Sequence, residues 1–96
     1  MLFVIEAKDN PEGFALREAS RAAHLDYLDS LGPALILAGP FKDGQGRSAG
    51  SLVIVEAATP AEAERMASDD PYVQAGLFER SSVRPWAWVV NKPEGM

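Results

Sequence analysis

The sequence predicts an α+β fold with its elements in the order β-α-β-β-α-β. Three observations lead there. Four short, β-rich apolar segments begin near residues 2, 34, 51 and 79. A long amphipathic stretch separates the first from the second, and a shorter stretch with a helix-start signal separates the third from the fourth. The 96 residues suit one domain, with no repeat, low-complexity tract or internal linker to divide them.

The first segment, "LFVIEA", reads as a buried strand, and "DNPEG" after it reads as a turn. Residues 12–31 form an amphipathic helix stopped by Gly32–Pro33. "ALILAGP", residues 34–40, is the second strand, and "SLVIVEA", residues 51–57, is the third. The glycine-rich loop between them makes the pair a long-looped hairpin. In "TPAEAERMA", Thr59 is the expected N-cap, Pro60 takes the first helical position, and Glu62 sits three residues after the cap, which is a capping box. This helix should end near Asp69, because the residue before Pro71 resists helical geometry. "YVQAG" forms one more turn. "ERSSVRPWAWVVN" is the fourth strand, at an edge or a bulge because of Pro85. Residues 91–96 are expected to be a loose tail.

This order is the ferredoxin-like βαββαβ arrangement, an antiparallel sheet with both helices on one face. Apolar residues on every strand argue that the other face is also covered. A second sheet from another subunit is the simplest cover, and a chain this small gains from such burial.

Composition narrows the function. Hydrophobic residues make up 47% and charged residues 24%, as in folded globular domains. The net charge is −5, which disfavours nucleic acid or an anionic membrane as partner. There is no cysteine, so disulfides, thiolate catalysis and zinc–thiolate sites are excluded. No stretch is long enough to span a bilayer, and "MLFVIEAKDN" lacks the basic region of a signal peptide. A cytoplasmic location is expected.

The first helix carries the unusual pattern. Successive residues turn by about 100°. Phe14, Leu25, Leu28 and Leu31 then share one side, and Glu18, Asp26 and Asp29 share the other. Arg17, Arg21 and His24, spaced i, i+4, i+7, fall on the apolar side. Either the arginine stems pack on the core with their heads in water and His24 is a neutral boundary residue, or the three form a cationic wall beside a general base. Asp69 and Asp70 pose the matching alternative. Asp before Pro is common turn chemistry, which accounts for one carboxylate. A carboxylate near the first helix could instead fix the tautomer of His24, the only histidine.

These residues resemble the YCII-related family. "R-x3-R-x2-H-L" at 17–25, "AGP" at 38–40, "DDPYVQAGLFERSSVRPW" at 69–86 and the opening "MLFVIEAKD" occur in the family's order over nearly the whole chain. The resemblance implies a single YCII-like domain over residues 1–96 that pairs as a dimeric α+β barrel. It also implies an acid–base pair. By motif position the pair is His24 and Asp70, with Asp69 the less fitting partner. Arg17 and Arg21 match the arginines of the helix motif, and Tyr72 and Ser82 lie in the matched segment, which makes all four candidates for substrate binding.

Other chemistries fare worse. One histidine and scattered carboxylates give no metal-ligand spacing. The glycines of "GPFKDGQGRSAG" form no phosphate loop, and Lys42 and Arg47 there are expected to be solvated. Ser48 and Ser51 lack a nucleophile elbow. Trp86 and Trp88, pointing the same way on the last strand, suit core or interface. Haem would need His24 as its axial ligand, and nothing favours that. The resemblance to the YCII-related family implies a small cofactor-independent enzyme acting on an anionic, phenolic or carbonyl compound by proton transfer, elimination or isomerisation. The competing expectation is a non-catalytic ligand-binding or interaction domain on the same barrel.

Overall fold

The computed structural model describes residues 1–96. Strand β1 (Leu2–Asp9) leads to helix α1 (Phe14–Ser30), a 3-10 turn at Gly32–Ala34, and strands β2 (Leu35–Lys42) and β3 (Ser48–Glu56). Helix α2 (Pro60–Ser68), the single-turn α3 (Pro71–Gln74) and strand β4 (Phe78–Trp86) follow. The sheet runs β2-β3-β1-β4, antiparallel throughout. This is the ferredoxin-like order expected.

Local chemistry accounts for the boundaries. Gly32 takes φ +58°, which ends α1 where side chains with a Cβ are disfavoured. Thr59 accepts the Glu62 amide at 3.1 Å, while the Glu62 carboxylate reaches the Ala58 amide at 3.3 Å, one residue before the cap. Pro85 is on an edge strand, where its missing N–H costs no ladder bond to a further strand.

Period-2 alternation turns Phe3, Ile5, Ala7, Val53, Val55 and Val83 toward the helices. Phe3 and Val55 are wholly buried, against Leu28 of α1 and Ala63 of α2. Burial of such a side chain stabilises the fold by about 1.5–3 kcal/mol. Tyr27 fastens the two helices by donating its hydroxyl to the Met66 carbonyl at 2.6 Å. Burial raises the Tyr27 phenol pKa, helped by Asp69 and Asp70 nearby, so it stays a donor.

Two expectations need correction. Phe14 and Leu25 are exposed; the buried stripe of α1 is Arg17, His24 and Leu28. The helix can turn two polar residues inward because each meets a buried carboxylate. The fourth strand stops at Trp86, so Trp88 lies beyond it, with its ring tilted against Trp86 at 5.9 Å.

Val4, Leu37, Phe41, Leu52, Ile54 and Trp86 point to the opposite sheet face. Glu6 and Arg84 pair across that face. Leu37, Phe41 and Trp86 are exposed there, and a shallow hollow of about 450 Å³ runs between Phe41 and Trp86.

Candidate functional site

Two carboxylates, one at each end of the site, decide its geometry. The first is Asp9, the last residue of β1. Alternation continues Phe3, Ile5, Ala7 inward, so Asp9 also points into the protein and is buried. The chain must then turn tightly into α1. A Cβ on Gly13 would lie 2.9 Å from both the Asn10 carbonyl oxygen and a Leu77 methyl, so the turn needs glycine. Asn10 is tied to the start of β4 by its amide, which donates to the Leu77 carbonyl at 2.9 Å. This turn brings Arg17, one turn into α1, back over Asp9.

The Arg17 guanidinium donates to Asp9 at 2.7 and 2.8 Å and to the Ser51 hydroxyl at 2.9 Å. The pair is almost completely enclosed. Burial opposes the Arg17 charge, but the Asp9 carboxylate outweighs it and the guanidinium pKa is raised. The Arg17 head therefore does not reach out to solvent.

The second carboxylate is Asp70. It caps α3, accepting the Tyr72 amide at 2.9 Å. The same Oδ1 lies 2.8 Å from His24 Nδ1, and Oδ2 lies 3.0 Å from it. Turn chemistry and the histidine contact are thus served by one side chain. Both residues are buried. An ionised carboxylate can only accept, so the hydrogen belongs on Nδ1 and the lone pair of a neutral imidazole on Nε2. Nε2 makes no hydrogen bond within the chain, and no sealed side-chain nitrogen or oxygen lacks a partner. Nε2 is therefore open to the cavity that His24 lines.

Tyr72 joins the two centres. Its ring stacks on the His24 imidazole with centroids 3.9 Å apart and planes 14° from parallel. Arg17 Cζ lies 4.6 Å from the centroid of the same ring. Phe78 meets it edge-on at 6.0 Å. Burial raises the Tyr72 phenol pKa although Arg17 and Arg21 pull the other way, so the phenol stays neutral.

The cavity measures about 530 Å³, enough for a single-ring ligand. Its walls include Arg17, Arg21, His24 and Tyr72 from the expected set, with Ser51, Lys42 and Ser48 from the hairpin. Lys42 is exposed, as expected, yet stands on the cavity wall. Arg47 lies over the Phe14 ring at 5.1 Å. Ser82 is placed elsewhere: it pairs with Glu6 and faces the opposite side of the sheet. Asp69 is exposed at the end of α2. No three His, Asp or Glu side chains gather to hold a metal ion.

The family model of the YCII-related domain matches residues 1–87. Protein YciI of Escherichia coli is 37% identical over 94 residues, covering 90% of this chain and 96% of that protein, and Protein YciI of Shigella flexneri matches equally well. Among solved structures, 5-chloro-2-hydroxyhydroquinone dehydrochlorinase (TftG) from Burkholderia phenoliruptrix superimposes with a TM-score of 0.85 at 34% identity. The match covers 91% of this chain and 94% of that one, which was solved in complex with 2,5-dihydroxybenzoquinone. SnoaB, a cofactor-independent oxygenase from Streptomyces nogalater, shares the fold at a TM-score of 0.57 and 9% identity, covering 95% of this chain and 96% of its own.

Proposed function

The chain belongs to the YCII-related family, and on that premise we propose that it is a small cytoplasmic enzyme that moves protons on a phenolic or carbonyl compound without a cofactor. The observation that carries this reading is the buried His24–Asp70 contact with Nε2 open to a ligand-sized cavity. Asp70 orients the imidazole and stabilises its protonated form, and His24 is the general base and then the acid. Tyr72 holds the imidazole plane, and its neutral phenol offers a proton to a substrate oxygen. Arg17, Arg21 and Ser82 are the remaining substrate-binding candidates, Arg17 supplying a cation whose position Asp9 fixes. Ser82 is the weakest of them, since it faces away from this cavity.

The dehydrochlorinase neighbour favours elimination as the reaction. From a chlorinated hydroxyhydroquinone two hydroxyl protons leave, and the ring carbon bearing chlorine gains one proton. Chloride departs with its bonding pair. The net loss is HCl, so no oxidant or reductant is needed: one imidazole can take the first hydroxyl proton and return it to the ring carbon, and the second hydroxyl proton leaves to water with the chloride. The test is anaerobic incubation with 5-chloro-2-hydroxyhydroquinone, following free chloride. Chloride release above the uncatalysed rate supports the reading. If the compound binds but is never converted, the protein is a ligand-binding domain on the same scaffold.

The functional unit we propose is a homodimer closed through the free sheet face, small-molecule ligands apart its only partner. The exposed Leu37, Phe41 and Trp86 beside Val4, Leu52 and Ile54 support this. Light scattering should return twice the chain mass for the parent protein. The Phe41→Glu/Trp86→Glu variant should return the chain mass once, and a parent protein that is already monomeric contradicts the dimer.

A further inference from the structure

The cavity holds more positive charge than an acid–base pair needs. Among the chain's Lys and Arg residues, Lys8, Arg17, Arg47 and Arg84 each have a carboxylate partner. Arg21, Lys42, Arg65, Arg80 and Lys92 have none, and of these five Arg21 and Lys42 line the cavity of His24. Arg21 lies three residues before His24 on α1, so the two side chains are neighbours on the helix surface. Lys42 ends β2 and its ammonium donates only to the Ser48 hydroxyl, at 3.2 Å. Arg17, the third cation of the wall, is already neutralised by Asp9. Glu18 is the one carboxylate in the lining, and it forms no ion pair with Arg21 or Lys42. In a chain with a net charge of −5, two cations without partners on the walls of one cavity favour an anion there.

We propose that Arg21 and Lys42 form an anion subsite that holds a carboxylate of the substrate, apart from the hydroxyl whose proton His24 takes. The substrate class is then a single-ring hydroxylated carboxylate. The Arg21 fork binds the carboxylate in two-pronged fashion, and Lys42 adds a point charge from the hairpin. Held by that end, the ring presents its hydroxyl to Nε2. This deepens the acid–base reading of His24 and rests on it.

The test compares gentisate, a hydroquinone bearing a carboxylate, with hydroquinone itself. Affinities come from calorimetry, and the His24 ring resonances report whether each ligand reaches the imidazole. Gentisate is expected to bind at least about tenfold more tightly than hydroquinone. Arg21→Gln/Lys42→Gln, two exposed positions, should abolish that preference, the gentisate affinity falling to that of hydroquinone for the same variant. Equal affinities in the parent protein overturn the subsite, as does a preference that survives in the double variant. If hydroquinone still perturbs His24 in either case, the acid–base reading stands and only the subsite fails. If the carboxylate preference holds but neither ligand perturbs His24, the subsite binds an anion for some other purpose and the acid–base reading fails. Absence of binding by both ligands overturns the proposal.

Discussion

Replacing His24 with alanine is expected to lower chloride release by about 100- to 10,000-fold, the range for loss of a positioned acid–base group. His24 is the only histidine, and Asp70 is turned toward Nδ1 and the Tyr72 amide. The variant also leaves the Asp70 carboxylate without its ring partner, which costs roughly 1–3 kcal/mol of stability. Urea denaturation beside the activity assay separates the two effects: activity should be lost in protein that is still folded. If activity persists within a few-fold, the imidazole moves no proton.

Asp9→Ala should cost about 3–5 kcal/mol, the usual penalty for removing one partner of a buried ion pair. Arg17 would keep its charge in a closed site, with only Ser51 left to accept from it. The loss should be partly reversed in Asp9→Ala/Arg17→Met, because an apolar side chain of similar length needs no counter-charge. Denaturant midpoints of the three proteins decide this. A loss below about 1 kcal/mol for Asp9→Ala would mean that the pair is hydrated rather than enclosed. Activity should fall more than stability explains, since Arg17 packs on Tyr72 and Tyr72 on His24.

Much of this molecule is legible in its sequence. Gly32, the Thr59–Pro60–Glu62 start and the Asp-Pro step at Asp70 are local rules, and each marks a boundary the structure keeps. The contact of His24 with Asp70 spans 46 residues, so turn chemistry alone gives no hint of it. The family resemblance supplies the pairing, and its physical cause is the topology, which places α3 against α1. The expectation that Phe14 and Leu25 face the core failed because a helical wheel weighs hydrophobicity and cannot see a buried carboxylate waiting for Arg17. The signal was nonetheless present in β1. Phe3, Ile5, Ala7 and Asp9 alternate onto one face, so a carboxylate ends an inward-facing row and needs a cation, and Arg17 follows one tight turn later. Ser82 illustrates the opposite case. Period 2 sets it beside Glu6, and a shift of one residue would have turned it toward the helices.

General-base action by His24 requires its hydrogen on Nδ1, and nitrogen-15 NMR reads that position directly. One histidine gives one imidazole to observe, at a pH where the ring is neutral. The expected result is hydrogen on Nδ1 and a free lone pair on Nε2. In Asp70→Ser, which keeps an acceptor for the Tyr72 amide but cannot reach the ring, the hydrogen should move toward Nε2. A parent protein with its hydrogen on Nε2 would rule out His24 as the base, because the nitrogen facing the cavity would then have no lone pair with which to take a proton.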